Sequence, residues 1–163
     1  MFSEVTLNSP LIESGSIRKI IDNAMAEAAG YFQSTYGADF EEIYKIKPDA
    51  NNLFYFGFCE KLTNILLEKL QAAGLKSFKA NYDPGNKPDL PHSFAVFEEN
   101  GVLWLIDMTW QQFLNDKEKP NYKKPKVLLC KVSDIELALE QLGIPKNRMK
   151  VWTQALRNLT TSE

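Results

Sequence analysis

Histidine is almost missing from this chain: its 163 residues include one, His92, and only two cysteines, Cys59 and Cys130. A zinc site would need both cysteines and added carboxylates, and neither a CxxC nor an HExxH spacing exists, so no structural metal is expected. Met1 to Ser14 lacks a basic segment followed by an apolar one, so no secretory signal is expected, and without one the two cysteines are not expected to pair. No apolar run approaches the roughly 20 residues that span a bilayer, so no membrane span is expected. The formal net charge is −2, which implies no broad basic face for nucleic acid. The one lysine-rich stretch, Lys117, Lys119, Lys123, Lys124 and Lys126, is interrupted by Pro120, Asn121 and Pro125 and reads as a solvated loop rather than a phosphate or anionic-lipid patch. Repeats and low-complexity tracts are also lacking. The length fits one domain with one core, with a helical part at 1–50, a central part at 51–132 and C-terminal helices at 133–163.

The pattern that is present alternates between helix and strand. Ser14 or Ser16 can cap a first helix, in which Ile17, Ile20, Ile21, Ala24, Ala28 and Phe32 share a face and which Gly37 ends. A short helical piece at Phe40 to Ile46 follows, stopped by Pro48, and then a polar loop and the apolar segment Leu53 to Phe58. A strong helix starts near Cys59, with Leu62, Ile65, Leu66 and Leu70 tracing its apolar face and Gly74 at the C′ position. Ser77 to Asn81 is a weak strand, and Asp83 to Pro91 is turn chemistry throughout. Ser93–Phe97 and Val102–Ile106 flank Glu98-Glu99-Asn100-Gly101, and Asn-Gly between apolar runs is a hairpin mark because both residues tolerate positive φ. Val127 to Val132 is a further strand, Ser133 caps a helix through Leu142 that Gly143 closes, and Pro145 at an N1 position opens a last helix to about Asn158.

Three residues stand where chemistry is possible. A thiolate is the reactive form of cysteine, and a helix N-terminus favours it through its partial positive charge. Cys59 sits where Gly57-Phe58 turns into the helix, beside backbone N–H groups able to bind an oxyanion. His92 heads one hairpin strand and Asp107 ends the other. If the hairpin closes on Asn100-Gly101, residues whose numbers sum to about 199–201 face one another, and these two sum to 199. Asp107 can then accept an imidazole N–H and leave the other ring nitrogen toward Cys59. Each residue also has a plainer reading: Cys59 as a small buried hydrophobe, His92 as a turn residue, and Asp107 with Thr109 as a strand-end cap. Cys130, inside Val127-Leu128-Leu129-Cys130, fits the buried reading better than Cys59 does.

Gly57-Phe58-Cys59, His92-Ser93-Phe94-Ala95-Val96 and Trp104-Leu105-Ile106-Asp107-Met108-Thr109-Trp110 resemble the three motifs of the papain-like and transglutaminase-like cysteine superfamily, in that superfamily's order of Cys, His, Asp. The continuation to Gln111-Gln112-Phe113 is similar to the bacterial toxin and effector branch that deamidates glutamine in host proteins. The resemblance spans Asn51 to Phe113. It implies an α+β fold, with the nucleophile helix packed on an antiparallel sheet. It also implies a catalytic triad of Cys59, His92 and Asp107, an oxyanion-hole role for Gln112, no cofactor, and a protein substrate presented through a glutamine side chain. Papain-like peptidases place a glutamine several residues before the cysteine. Here that stretch is Asn51-Asn52-Leu53-Phe54-Tyr55-Phe56, which has no glutamine and in which Asn52 is the candidate substitute. Transglutaminase, peptidase or amidase activity on the same triad, and a non-catalytic binding module of the same fold, stand as alternatives. So do a plain polar turn at Gln111 and Gln112 and core packing for Trp110 and Phe113. The location expected is the cytoplasm, or a target-cell cytosol reached through a specialised secretion system. The oligomeric state is open.

Overall fold

The computed structural model describes residues 15–44, 59–85, 91–114 and 123–161. The first helix, α1, is Ser16–Tyr44. It buries Ile17, Ile21, Ala24, Met25, Ala28 and Phe32, the 3.6-residue stripe that the sequence carries. The expected stop at Gly37 is a break in helical geometry (φ 12, ψ −101), after which the chain resumes helical form to Tyr44. The expectations for Ile46, Pro48, Asn52 and the Leu53–Phe58 segment, Gly57 included, lie outside the described residues.

Helix α2, Cys59–Ala72, buries Leu62, Ile65, Leu66 and Leu70. It ends at Gly74, whose φ of +82° lets the Leu75 N–H reach back to the Leu70 carbonyl at 3.0 Å. Strand β1 is Ser77–Tyr82, β2 His92–Glu99, β3 Val102–Asp107 and β4 Leu128–Lys131. They form one antiparallel sheet in the order β1-β2-β3-β4. The β2–β3 turn is the Asn-Gly turn, with φ of +53° at Asn100 and +78° at Gly101, the primed geometry that matches strand twist. After β4 the chain makes a 3-10 turn, Val132–Asp134, then α3, Ile135–Leu142, a second such turn, Lys146–Arg148, and α4, Lys150–Thr161.

Two expectations about helix starts are corrected here. Ser133 does not cap α3 but lies inside the 3-10 turn, and Asp134 at the cap position makes no side-chain bond to the helix. Pro145 precedes the Lys146–Arg148 turn in extended form (ψ 140°), so α4 starts at Lys150 and not at the proline. In both places a tight turn satisfies the first N–H groups that a side-chain cap would otherwise serve.

The sheet has helices on both faces, so two apolar cores form. On one face α1 and α2 cover Ala95, Phe97, Trp104, Ile106 and Leu129. On the other, α3 and α4 cover Phe94, Val96, Leu105, Leu128 and Cys130, joined by Trp110 and Phe113. This explains why β2 reads as apolar at successive positions instead of alternating: six consecutive residues from His92 to Phe97 are buried. The fold is therefore α+β. Among the described residues no helix is long and apolar enough to cross a membrane.

Candidate active site

His92 opens β2 and Asp107 closes β3, so the hairpin alone brings them to one end of the sheet. Its register pairs Ala95 with Ile106 and Phe97 with Trp104, a sum of 201. Asp107 is thus offset by two from the residue opposite His92. Two is the period of side-chain direction, so both side chains stand on the same face, as diagonal neighbours within reach of a long side chain. The His92 Nε2–H donates to Asp107 Oδ2 at 2.6 Å. Both residues are only 1% exposed, so this ion pair is screened by protein and not by water.

The imidazole is enclosed by aromatic rings. Phe113 meets it edge-on with centroids 4.8 Å apart, Trp152 at 5.9 Å and Phe94 at 6.0 Å. Burial is the largest influence on its proton affinity and lowers it. The Asp107 charge and hydrogen bond, with the Cys59 hydrogen bond and charge, outweigh it and raise the pKa from 6.5 to about 9. The other face of the carboxylate is also occupied. Oδ1 accepts the Thr109 backbone N–H at 2.9 Å and, more weakly, the Thr109 hydroxyl at 3.4 Å. The strand-end cap at Asp107–Thr109 and the His92–Asp107 pair therefore coexist, one on each carboxylate oxygen.

Cys59 is the first residue of α2 and is half-buried. One turn later the Thr63 hydroxyl donates to the Ser93 carbonyl at 3.2 Å, which pins the start of α2 to the start of β2. The start of α2 is thereby near enough to β2 for Cys59 to contribute to the raised His92 pKa. With Nε2 committed to Asp107, Nδ1 is the ring nitrogen left for another partner. Cys130 stands apart: it is buried in the second core, and burial, aided by the charges of Asp134 and Asp107, pushes its thiol up to about 12. That keeps it protonated and inert.

Gln112 lies in a 3-10 turn, Trp110–Phe113, that follows β3. Its Nε2 is 3.1 Å from His92 Nδ1 and donates to Thr109 Oγ1 at 3.2 Å. Asp107, His92, Gln112 and Thr109 thereby close a ring of hydrogen bonds around the imidazole. Gln111 points away, fully buried, and donates to the Pro125 carbonyl at 3.2 Å. The same carbonyl accepts the Trp110 indole N–H at 3.0 Å, so Trp110 and Gln111 hold the turn while Gln112 serves the site. Arg148 adds a second anchor by donating to the Phe113 and Leu114 carbonyls at 2.7 and 2.9 Å.

Two members of this arrangement were not legible in the sequence. Thr63 lies on a helix face with ordinary neighbours and has no motif. Trp152 donates its indole N–H to Asp107 Oδ2 at 2.8 Å from 45 residues away, and only the alternation of apolar residues in α4 marks it as buried. Comparison with protein-family models, curated proteins and solved structures gives no significant match to this chain.

Proposed function

We propose that this chain is a cysteine-dependent acyl-transfer hydrolase of the papain-like and transglutaminase-like kind, acting as a glutamine deamidase on protein substrates. The observation that carries the reading is the buried His92–Asp107 pair, with Gln112 at the second ring nitrogen and Cys59 near enough to contribute to the His92 pKa. A buried imidazole that keeps its proton to about pH 9 stabilises a neighbouring thiolate and stands ready to give that proton to a leaving group.

In this reaction the Cys59 thiolate attacks the carboxamide carbon of a glutamine side chain, forming a C–S bond and an oxyanion. The oxyanion falls at the α2 N-terminus, where backbone N–H groups supply donors. His92 protonates the amide nitrogen, the C–N bond breaks, and ammonia leaves a thioester on Cys59. A water then attacks the thioester while His92 takes its proton. The C–S bond breaks and glutamate is released, so the sum is carboxamide plus water to carboxylic acid plus ammonia. Asp107 fixes the imidazole through Nε2 at every stage.

Gln112 has a part set by its position. When Nδ1 is unprotonated it accepts the Gln112 N–H. Once Nδ1 carries a hydrogen, two donors face each other and the carboxamide turns, so that Oε1 and not the NH2 group meets the ring. Its N–H groups are then released from the ring nitrogen and available to an oxyanion.

The test is mass spectrometry of candidate proteins incubated with the chain, which should show a gain of about 1 Da at a glutamine that is lost with Cys59→Ser. New peptide termini without that gain would replace the reading with a peptidase. Cross-linking to an added amine would replace it with a transglutaminase. Full biological effect from Cys59→Ala, with no covalent change in any target, would leave a binding module.

A further inference from the structure

The Asp107 carboxylate takes more than the imidazole. Its Oδ2 accepts both the His92 Nε2–H at 2.6 Å and the Trp152 Nε1–H at 2.8 Å, while Oδ1 accepts from Thr109. Trp152 is fully buried in α4, with its ring 5.1 Å from Phe113 and edge-on to it. A buried indole has one donor and no acceptor, and a carboxylate is the strongest partner it can have. Packing alone would be met by any aromatic ring at this position. The hydrogen bond needs a ring that carries a donor, which phenylalanine lacks.

We propose that Trp152 is a positioning residue of this site, acting through Asp107: its indole N–H takes a share of the Oδ2 charge that would otherwise act wholly on the imidazole. This rests on the reading of Cys59, His92 and Asp107 as a catalytic triad. Two donors on one oxygen compete. Removing the indole N–H leaves the Oδ2 charge to the remaining donor, so His92 holds its proton more tightly. A more tightly held proton passes more slowly to departing ammonia. Trp152 therefore sets how readily the acid acts, from a helix that contributes nothing else to the triad.

Among the described residues the groups that face His92 come from five other elements and from its own strand, which adds Phe94. Asp107 comes from β3 and Cys59 from α2, Tyr82 of β1 stands opposite in register, and Gln112, Phe113 and Trp152 are uncharged. Only the Asp107 and Cys59 charges compete with burial in setting the titration.

His92 is the only histidine in the chain, so its ring protons give one NMR titration curve without assignment. In Trp152→Phe, which keeps an aromatic ring in the core, the midpoint should rise by about 0.5–1 unit. An unchanged or lower midpoint overturns the proposal. A second measurement needs no variant. The chain has three tryptophans, and one of their indole N–H signals should titrate with the same midpoint as His92. Three indole signals indifferent to that titration overturn the proposal, and this decides the matter if the variant does not fold. Where it folds, support requires both results. Neither measurement uses turnover, so a chain that behaves as stated here yet converts no glutamine would sink the deamidase reading alone.

Discussion

Replacing Asp107 by asparagine keeps the shape of the group facing His92 and removes its charge. In the native chain burial lowers the His92 pKa, and the Asp107 and Cys59 influences together carry it up to about 9. Without the Asp107 charge, burial is the largest influence left, and the midpoint should fall from about 9 to below the ordinary 6.5. That is a change of more than about 2.5 units, or roughly 3 kcal/mol in the balance between imidazolium and imidazole. The effect on stability has a sign that can be checked. A folded pKa raised above 6.5 contributes stability that is complete below pH 6.5 and is lost as pH rises through about 9. In Asp107→Asn the folded value lies below the unfolded one, so the contribution is present above pH 6.5 and is lost as pH falls below it. Urea midpoints measured across pH 5.5 to 9.5 should therefore fall with pH between 6.5 and 9 in the native chain. In the variant that fall should vanish, and stability should instead decline toward acid. The histidine NMR curve gives the midpoints directly. A variant midpoint still above about 7, or parallel stability profiles for the two proteins, would refute the claim that Asp107 holds the His92 charge.

Three further outcomes follow from particular contacts. Gln112→Ala should lower kcat by about 10²–10³-fold with a small change in KM, because an oxyanion donor acts in the transition state; an unchanged kcat would confine Gln112 to the turn. Thr63→Val removes the buried bond to the Ser93 carbonyl and should cost about 1–3 kcal/mol by urea unfolding, with slower Cys59 alkylation because the start of α2 is no longer pinned beside His92. Arg148→Met leaves the Phe113 and Leu114 carbonyls without their charged donor, and should both destabilise by about 1–3 kcal/mol and loosen the Phe113 ring from His92, seen as a change in the His92 ring-proton shifts.

The hairpin was legible because its turn chemistry is local. Asn100-Gly101 fixes two positive φ values, and from that turn the pairing of β2 with β3 follows to within two residues. The same holds for α2 and its Gly74 stop, for α3 and Gly143 (φ +83°), and for the meeting of His92 with Asp107. The starts of α3 and α4 were misread because 3-10 turns can take the place of caps, and nothing in Ser133 or Pro145 separates those two uses. The candidate site was legible in its two hairpin members and in the helix that carries Cys59, whereas the convergence of helix and hairpin was implied by the family resemblance and not by any local pattern.

That division has a physical basis. Residue order by itself determined the turns, the amphipathic faces and the hairpin that joins an imidazole to a carboxylate, since each depends on backbone preference or on spacing within a few residues. Only the tertiary structure decided that β2 is covered on both faces, that Thr63 ties α2 to β2, and that a tryptophan 45 residues away shares the Asp107 oxygen with His92. Those contacts come from the packing of helices on a sheet. Packing selects partners by shape and by unmet hydrogen bonds, which leave no periodic mark along the chain.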